Sequence, residues 1–240
     1  MTTLAVIGDV HAHFERLTRV LARIREAEVD GVLLVGDLGS HHLNLTQFRT
    51  PEGDALYQRS VEQVLEEVGT LGVPFLWVPG NHDLPEVEGS GNIDDGLDSL
   101  GGVAIAGIGG SGPHRHGFSY EWDEDDIRRR DVPRCDVLLV HCPPHDTPLD
   151  YIPFRQEHAG SVAIRERAER QVGFLVCGHI HESPGAIQLG HCLCMNVGGL
   201  GHPFGKAQVG FIRREDGVDE AWHEDLQTGE VQRWCRQGTG

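Results

Sequence analysis

The chain has 240 residues, enough for one α/β domain with a substantial core, and its 39% apolar and 24% charged content excludes a disordered chain. A formal charge of −17 argues against a long nucleic acid as partner, because polyanion binding relies on clustered Lys and Arg. That charge leaves small anionic molecules open, since carboxylates that hold cations lose their repulsion.

In chain order, LAVIGD at 4–9 reads as a buried strand, and Leu17, Val20, Leu21 and Ile24 then fall at helical spacing over 14–27. VDGVLLVGD at 29–37 completes a βαβ opening. A second helix is predicted over 55–71 from the stripe Val61, Val64, Leu65 and Val68, followed by a third strand in PFLWVPGN at 74–81. Gly, Ser, Asp and Pro dominate 85–120, which predicts loops around one short strand, VAIAGIG. VLLVHCP at 137–143, a helix near 161–171 and FLVCGHIH at 174–181 continue the alternation. The pattern then turns to strands only: AIQLGHCLCMNVG, KAQVGFIRR and two short strands around AWHEDLQTGEVQRW. Those final strands are expected to pair antiparallel and to build a second sheet. No repeat or linker divides the chain, so a single domain over 1–240 is expected.

Six cysteines at 135, 142, 177, 192, 194 and 235 form no C-x-x-C pair, which predicts free thiols, and Cys192 and Cys194 are expected in the core. The start MTTLAVIGDVHAH lacks the basic region of a signal peptide, and no apolar run approaches the roughly 20 residues that span a bilayer. A cytoplasmic protein without membrane contact is expected.

Five strands end in metal-ligand residue types. Asp9 and His11, two residues apart at a strand end, point to one side. Asp37 ends the next strand, and parallel strands present their C-terminal ends along one sheet edge, so Asp9 and Asp37 are expected as neighbours. Asn81 and His82 follow the third strand, His141 ends another, and His179 and His181 end the last as GHIH. Seven donors (Asp9, His11, Asp37, Asn81, His141, His179 and His181) exceed what one ion needs and suit two divalent ions sharing a carboxylate. Imidazole, carboxylate and amide donors without thiolate favour manganese, with iron, zinc or cobalt also accepted. Two such ions about 3.5–4 Å apart activate bridging water and brace a phosphoryl group for in-line attack. The expected activity is therefore phosphoester hydrolysis by a metal-bridged hydroxide.

The blocks GDVH (8–11), GD (36–37), GNHD (80–83), His141 and GHIH (178–181) resemble those of the calcineurin-like metallophosphoesterase superfamily. That resemblance implies a four-layer α-β-β-α sandwich, two facing mixed β-sheets flanked by helices, with metals at strand ends. It implies one ion on Asp9, His11, Asp37 and His181, and a second on Asp37, Asn81, His141 and His179, with Asp37 bridging. It makes His82 the acid that protonates the leaving oxygen, a role suited to an imidazole near neutrality, and lets Asp83 orient it. The second block reads GDLGSHH without the Arg of GDxVDRG, which sets aside protein Ser/Thr phosphatases and dinucleoside tetraphosphatases. HCPPHDTPLD (141–150), HAGS (158–161) and GIGGSGP (107–113) look more like small phosphodiesterase-type members.

Around these blocks, His13, His41 and His42 could support the ligands, and His158, just before a helix start, could contact the substrate phosphate. No role is assigned to His114 or His116. A small-molecule or nucleotide phosphoester is the expected substrate. A nuclease of the same superfamily and a catalytically silent metal-binding scaffold are the alternatives, and oligomeric state is not legible.

Overall fold

The structure, a computed structural model, describes residues 1–40, 50–113, 116–215 and 218–236. β1 (Thr2–Ile7), β2 (Gly31–Leu34) and β3 (Phe75–Trp77) run parallel, connected through α1 (Phe14–Ala27) and α2 (Pro51–Gly69). The imidazole of His13 caps α1 by accepting the Arg16 N–H at 3.4 Å. Helix α2 starts four residues before its apolar stripe predicts, because Thr50 caps it through the Gly53 N–H at 3.1 Å and Pro51 presets the first turn.

The strand expected in VAIAGIG is β5 (Val103–Ile108), and it pairs with a strand the sequence did not announce, β4 (Leu97–Leu100), in a hairpin turned by Gly101 and Gly102 at φ of 56° and 81°. The exposed LDSL strand has too little apolar character to announce itself. α3 (Glu124–Arg129) and β6 (Val137–Val140) follow, then a small hairpin of β7 (Tyr151–Ile152) and β8 (Glu157–His158), α4 (Val162–Gln171) and β9 (Phe174–Cys177). The chain closes with β10 (Gly185–Leu189), β11 (Cys192–Asn196), β12 (Gln208–Glu215), β13 (Val218–Asp225) and β14 (Val231–Cys235).

These final strands do not form a sheet of their own. β12 to β14 extend the first sheet through antiparallel pairing of β12 with β1, giving the order β14-β13-β12-β1-β2-β3. β10 and β11 extend a second sheet, ordered β10-β11-β9-β6-β5-β4, through parallel pairing of β11 with β9. The chain thus begins the second sheet near residue 97 and returns to the first at 208. Periodicity reports which residues are strands, but pairing across some 200 residues is set by burial.

Period-two alternation sorts each buried strand between two cores. Ala5, Ile7, Val32 and Leu34 face α1 and α2, while Leu4, Val6, Leu33 and Val35 meet Val137, Leu139, Phe174 and Val176 of the second sheet. Leu138, Val140, Leu175 and Cys177, with Cys192 and Cys194, pack on the other side toward Ala163 and Ile164 of α4. Helix, sheet, sheet and helix make four layers. All six cysteines are free thiols. No helix among the described residues is long and apolar enough to cross a membrane.

Candidate metal centre

Asp9 and His11 follow β1, Asp37 follows β2, Asn81 and His82 follow β3, His141 follows β6, and His179 and His181 follow β9. The donors therefore come from two facing sheets. Such close convergence of strand ends needs bare backbone: a Cβ on Gly80 would collide with the Asp37 carboxylate, and one on Gly178 with that of Asp9. His11, Asp37 and His179 hold left-handed backbone at φ of 45°, 50° and 67°, a conformation that costs about 1–3 kcal/mol per residue and concentrates at functional sites.

Two donor triads are formed, one by Asp9, His11 and His181, the other by Asp9, Asp37 and His141. The Asp37 Oδ2 lies 3.6 Å from the Nε2 of both His11 and His141, so one oxygen addresses both halves of the cluster. His181 Nε2 lies 2.8 Å from Asp9 Oδ2, and the His179 ring stands 5.0 Å from that of His141. Backbone N–H groups fix the carboxylates: His82 donates to Asp37 Oδ1 at 2.8 Å and His179 to Asp9 Oδ2 at 2.9 Å.

Carbonyl oxygens set the imidazole orientations. His141 Nδ1 donates to the Val35 carbonyl and His181 Nδ1 to the Pro203 carbonyl, each at 2.8 Å, which leaves both Nε2 atoms toward the cluster. In the neutral ring, His141 Nε2 then carries a lone pair and meets the Asn81 Oδ1 at 2.8 Å. Two acceptors converging there call for a cation between them. Asp9 Oδ1 is buried without a hydrogen-bond partner, a second atom that a cation would satisfy. The residues present therefore fit divalent metal.

The electrostatics agree with a site built for positive charge. Burial pushes the Asp9 carboxyl up, but the His181 hydrogen bond and charge, with His141, carry it below its ordinary value. Burial likewise raises Asp37, and His141, His82 and His11 outweigh it, so its carboxyl is held low. Burial presses His11 down to about 4 and His179 down to about 3, keeping both rings neutral and able to coordinate at pH 7. For His181 burial is outweighed by the Asp9 hydrogen bond and charge, which hold it up at about 9.

The cluster opens into a cleft of about 410 Å³ whose walls include His82, His116 and Phe118. The His82 ring stands 5.2 Å from that of His11, edge to face, and 4.4 Å from Phe118. Asp83 does something other than orient His82. It is fully buried and accepts hydrogen bonds from Gly80 N at 2.6 Å, Leu38 N at 3.2 Å and the Tyr57 hydroxyl at 2.6 Å. It thus ties the β2 and β3 ends to α2 beneath the donors.

The anion contact expected for His158 lacks its structural basis. At the start of α4 the Glu124 carboxylate already accepts from Val162 N at 3.1 Å, Ala163 N at 2.7 Å and Ser161 Oγ at 2.9 Å. His158 Nδ1 is 2.7 Å from Asp150 Oδ1, and its ring packs 5.1 Å from that of Tyr151. His41, His42 and His114 lie outside the described residues, and His13 caps α1 as noted. Residues that sequence reasoning missed include Phe118, Phe154 and Phe204, which line the cleft from three separate loops. An isolated Phe in a Gly- and Pro-rich stretch carries no signal of location. Elsewhere a cleft of about 380 Å³ between α3 and α4 contains arginines already engaged, Arg128 with Asp125 and Glu166, and Arg167 with the Ile127 and Arg130 carbonyls.

Two mixed sheets between helices thus bring carboxylate, imidazole and amide donors together at facing strand ends, a donor set suited to divalent metal. Residues 2–183 match the model of the calcineurin-like phosphoesterase family, and the chain belongs to that family. An uncharacterised protein of Methanocaldococcus jannaschii, MJ1162, is 29% identical over 160 residues, covering 60% of this chain and 73% of that protein. Among solved structures, TT1561 of Thermus thermophilus superposes with a TM-score of 0.63 at 15% identity, covering 97% of this chain and 98% of its own. Vps29 of Chaetomium thermophilum superposes with a TM-score of 0.52 at 12% identity over all of both chains. At these identities the two structures speak for the fold alone.

Proposed function

We propose that this protein is a dinuclear metal-dependent phosphoesterase acting on a small or nucleotide phosphoester, with one ion held by Asp9, His11, Asp37 and His181 and the other by Asp37, Asn81, His141 and His179. The observation that carries this reading is the paired donor cluster at the seam of two sheets, with the Asp37 Oδ2 equidistant from His11 and His141 and acceptor atoms converging at Asn81 and His141. Once bound, two divalent ions would supply Lewis acidity toward the phosphoryl oxygens and activation of water.

The chain's own residues do the rest. The Asp37 and Asp9 carboxylates, held by the His82 and His179 N–H groups, keep the donors in register when a substrate enters. His82, at the cleft wall beside His11, donates a proton to the departing ester oxygen as the P–O bond breaks and water oxygen is added to phosphorus.

Metal analysis combined with a screen of aryl mono- and diesters, cyclic nucleotides and oligonucleotides tests this reading. His82→Ala should retain metal and lose roughly 10²–10⁴-fold in turnover, the range for a general acid. Asp37→Ala should lose both ions. Unchanged turnover in His82→Ala would remove the acid role, and a metal-loaded protein that hydrolyses none of these esters would leave a binding scaffold. Steeply salt-dependent oligonucleotide cleavage would instead mark a nuclease.

A further inference from the structure

Phe154 and Phe204 are 63% and 54% exposed, and Met1 aside they are the most exposed large apolar side chains among the described residues. Both line the metal cleft, and their rings stand 5.4 Å apart with planes inclined by 32°. They come from different loops, Phe154 from the turn between β7 and β8 and Phe204 from the segment between β11 and β12. Folding gains little from apolar surface left in water, and Phe204 is further held at φ of 64°, a left-handed conformation costly for an aromatic residue.

The pair is in register with the donors. The Pro203 carbonyl, one residue before Phe204, accepts the His181 Nδ1–H at 2.8 Å, so the loop that orients a metal donor also places the ring. Behind Phe154, the Arg155 guanidinium carbon lies 5.7 Å from the ring centroid, and Arg155 is itself paired with Glu157 at 3.3 Å. Phe118, against His82, supplies a third aromatic ring to the same cleft. A phosphate seated at the donors would leave its organic substituent beside these rings.

Resting on the metal-phosphate reading above, we infer that Phe154 and Phe204 form a stacking platform that selects phosphoesters carrying a planar aromatic group, such as a nucleobase or an aryl ring, over sugar or alkyl phosphates. Aromatic faces recognise such groups by stacking on a planar π-face, which a sugar or alkyl substituent lacks.

The test is calorimetric titration of the metal-loaded full chain with adenosine 5′-monophosphate and ribose 5-phosphate, which share phosphate and sugar and differ in the base. The nucleotide should bind about tenfold more tightly, in the range of one base stacked on an aromatic side chain. Phe154→Ala and Phe204→Ala should each bring the ratio of the two affinities toward one, and Phe204→Tyr should keep it. Equal affinities in the unsubstituted protein, or an undiminished ratio in both alanine variants, would overturn the platform while leaving phosphate binding at the metals intact. If neither compound nor inorganic phosphate binds the metal-loaded protein, the metal-phosphate reading falls, and the platform with it.

Discussion

Asp83 and His181 carry the residue-scale chemistry that spacing alone does not disclose. Asp83 belongs to a GNHD block, yet its oxygens are occupied by Gly80 N, Leu38 N and the Tyr57 hydroxyl, all buried. Removing a buried acceptor strands its donors at about 1–3 kcal/mol each, so Asp83→Ala should lower stability by several kcal/mol in chemical denaturation, with Tyr57→Phe losing only about 1 kcal/mol. His181 gives a pH signature to the metal-free protein. Its folded-state value of about 9 lies above the ordinary 6.5, so the Asp9 pairing contributes fully below about pH 6.5 and is lost as pH rises through 9. Thermal unfolding of metal-free protein should therefore show stability declining from pH 7 to 9.5, and His181→Asn should flatten that decline. A metal held by His181, as proposed, would displace its proton at pH 7.5, so loading should release about one proton from this site, measurable by pH-stat titration.

At the scale of elements, the strands and the polar residues at their ends are legible because buried parallel strands are continuous apolar runs that Asp, Asn and His interrupt at their ends. Exposed elements are not: β4 reads LDSL, and β7 and β8 are two residues each, so neither periodicity nor composition marks them. The pattern of helix α4 marks its position but not the fate of its N-terminus, because Glu124 arrives from 37 residues upstream of Ser161. Glu124→Ala should leave the Val162 and Ala163 N–H groups at the start of α4 without their carboxylate, while Ser161 still caps Ile164, and cost about 1 kcal/mol in unfolding free energy without changing phosphoester turnover. A loss of turnover in that variant would restore a functional part for the start of α4.

For the molecule as a whole, the metal centre joins the sheets that enclose the inner core. Asp9, His11, Asp37 and Asn81 come from the first sheet, and His141, His179 and His181 from the second. Each ion bound there would act as a clamp, stabilising the folded state by about 2.7 kcal/mol when free metal exceeds its dissociation constant a hundredfold. For a chain of this size, chelation should then lower the midpoint of thermal unfolding by roughly 5–10 °C, and the shift should vanish in Asp37→Ala. The charge of −17 need not repel an anionic substrate, since divalent metal bound at the donors would reverse the sign locally. What the sequence determined by itself was the placement of carboxylate, imidazole and amide side chains at strand ends, because residue identity is written in it and periodicity reveals the strands they follow. Tertiary structure alone decided that the last three strands return to the first sheet, that Asp83 is a buried anchor, and that Phe154 and Phe204 meet at the cleft. Those outcomes depend on contacts between segments from 26 to some 200 residues apart, which only tertiary packing brings together.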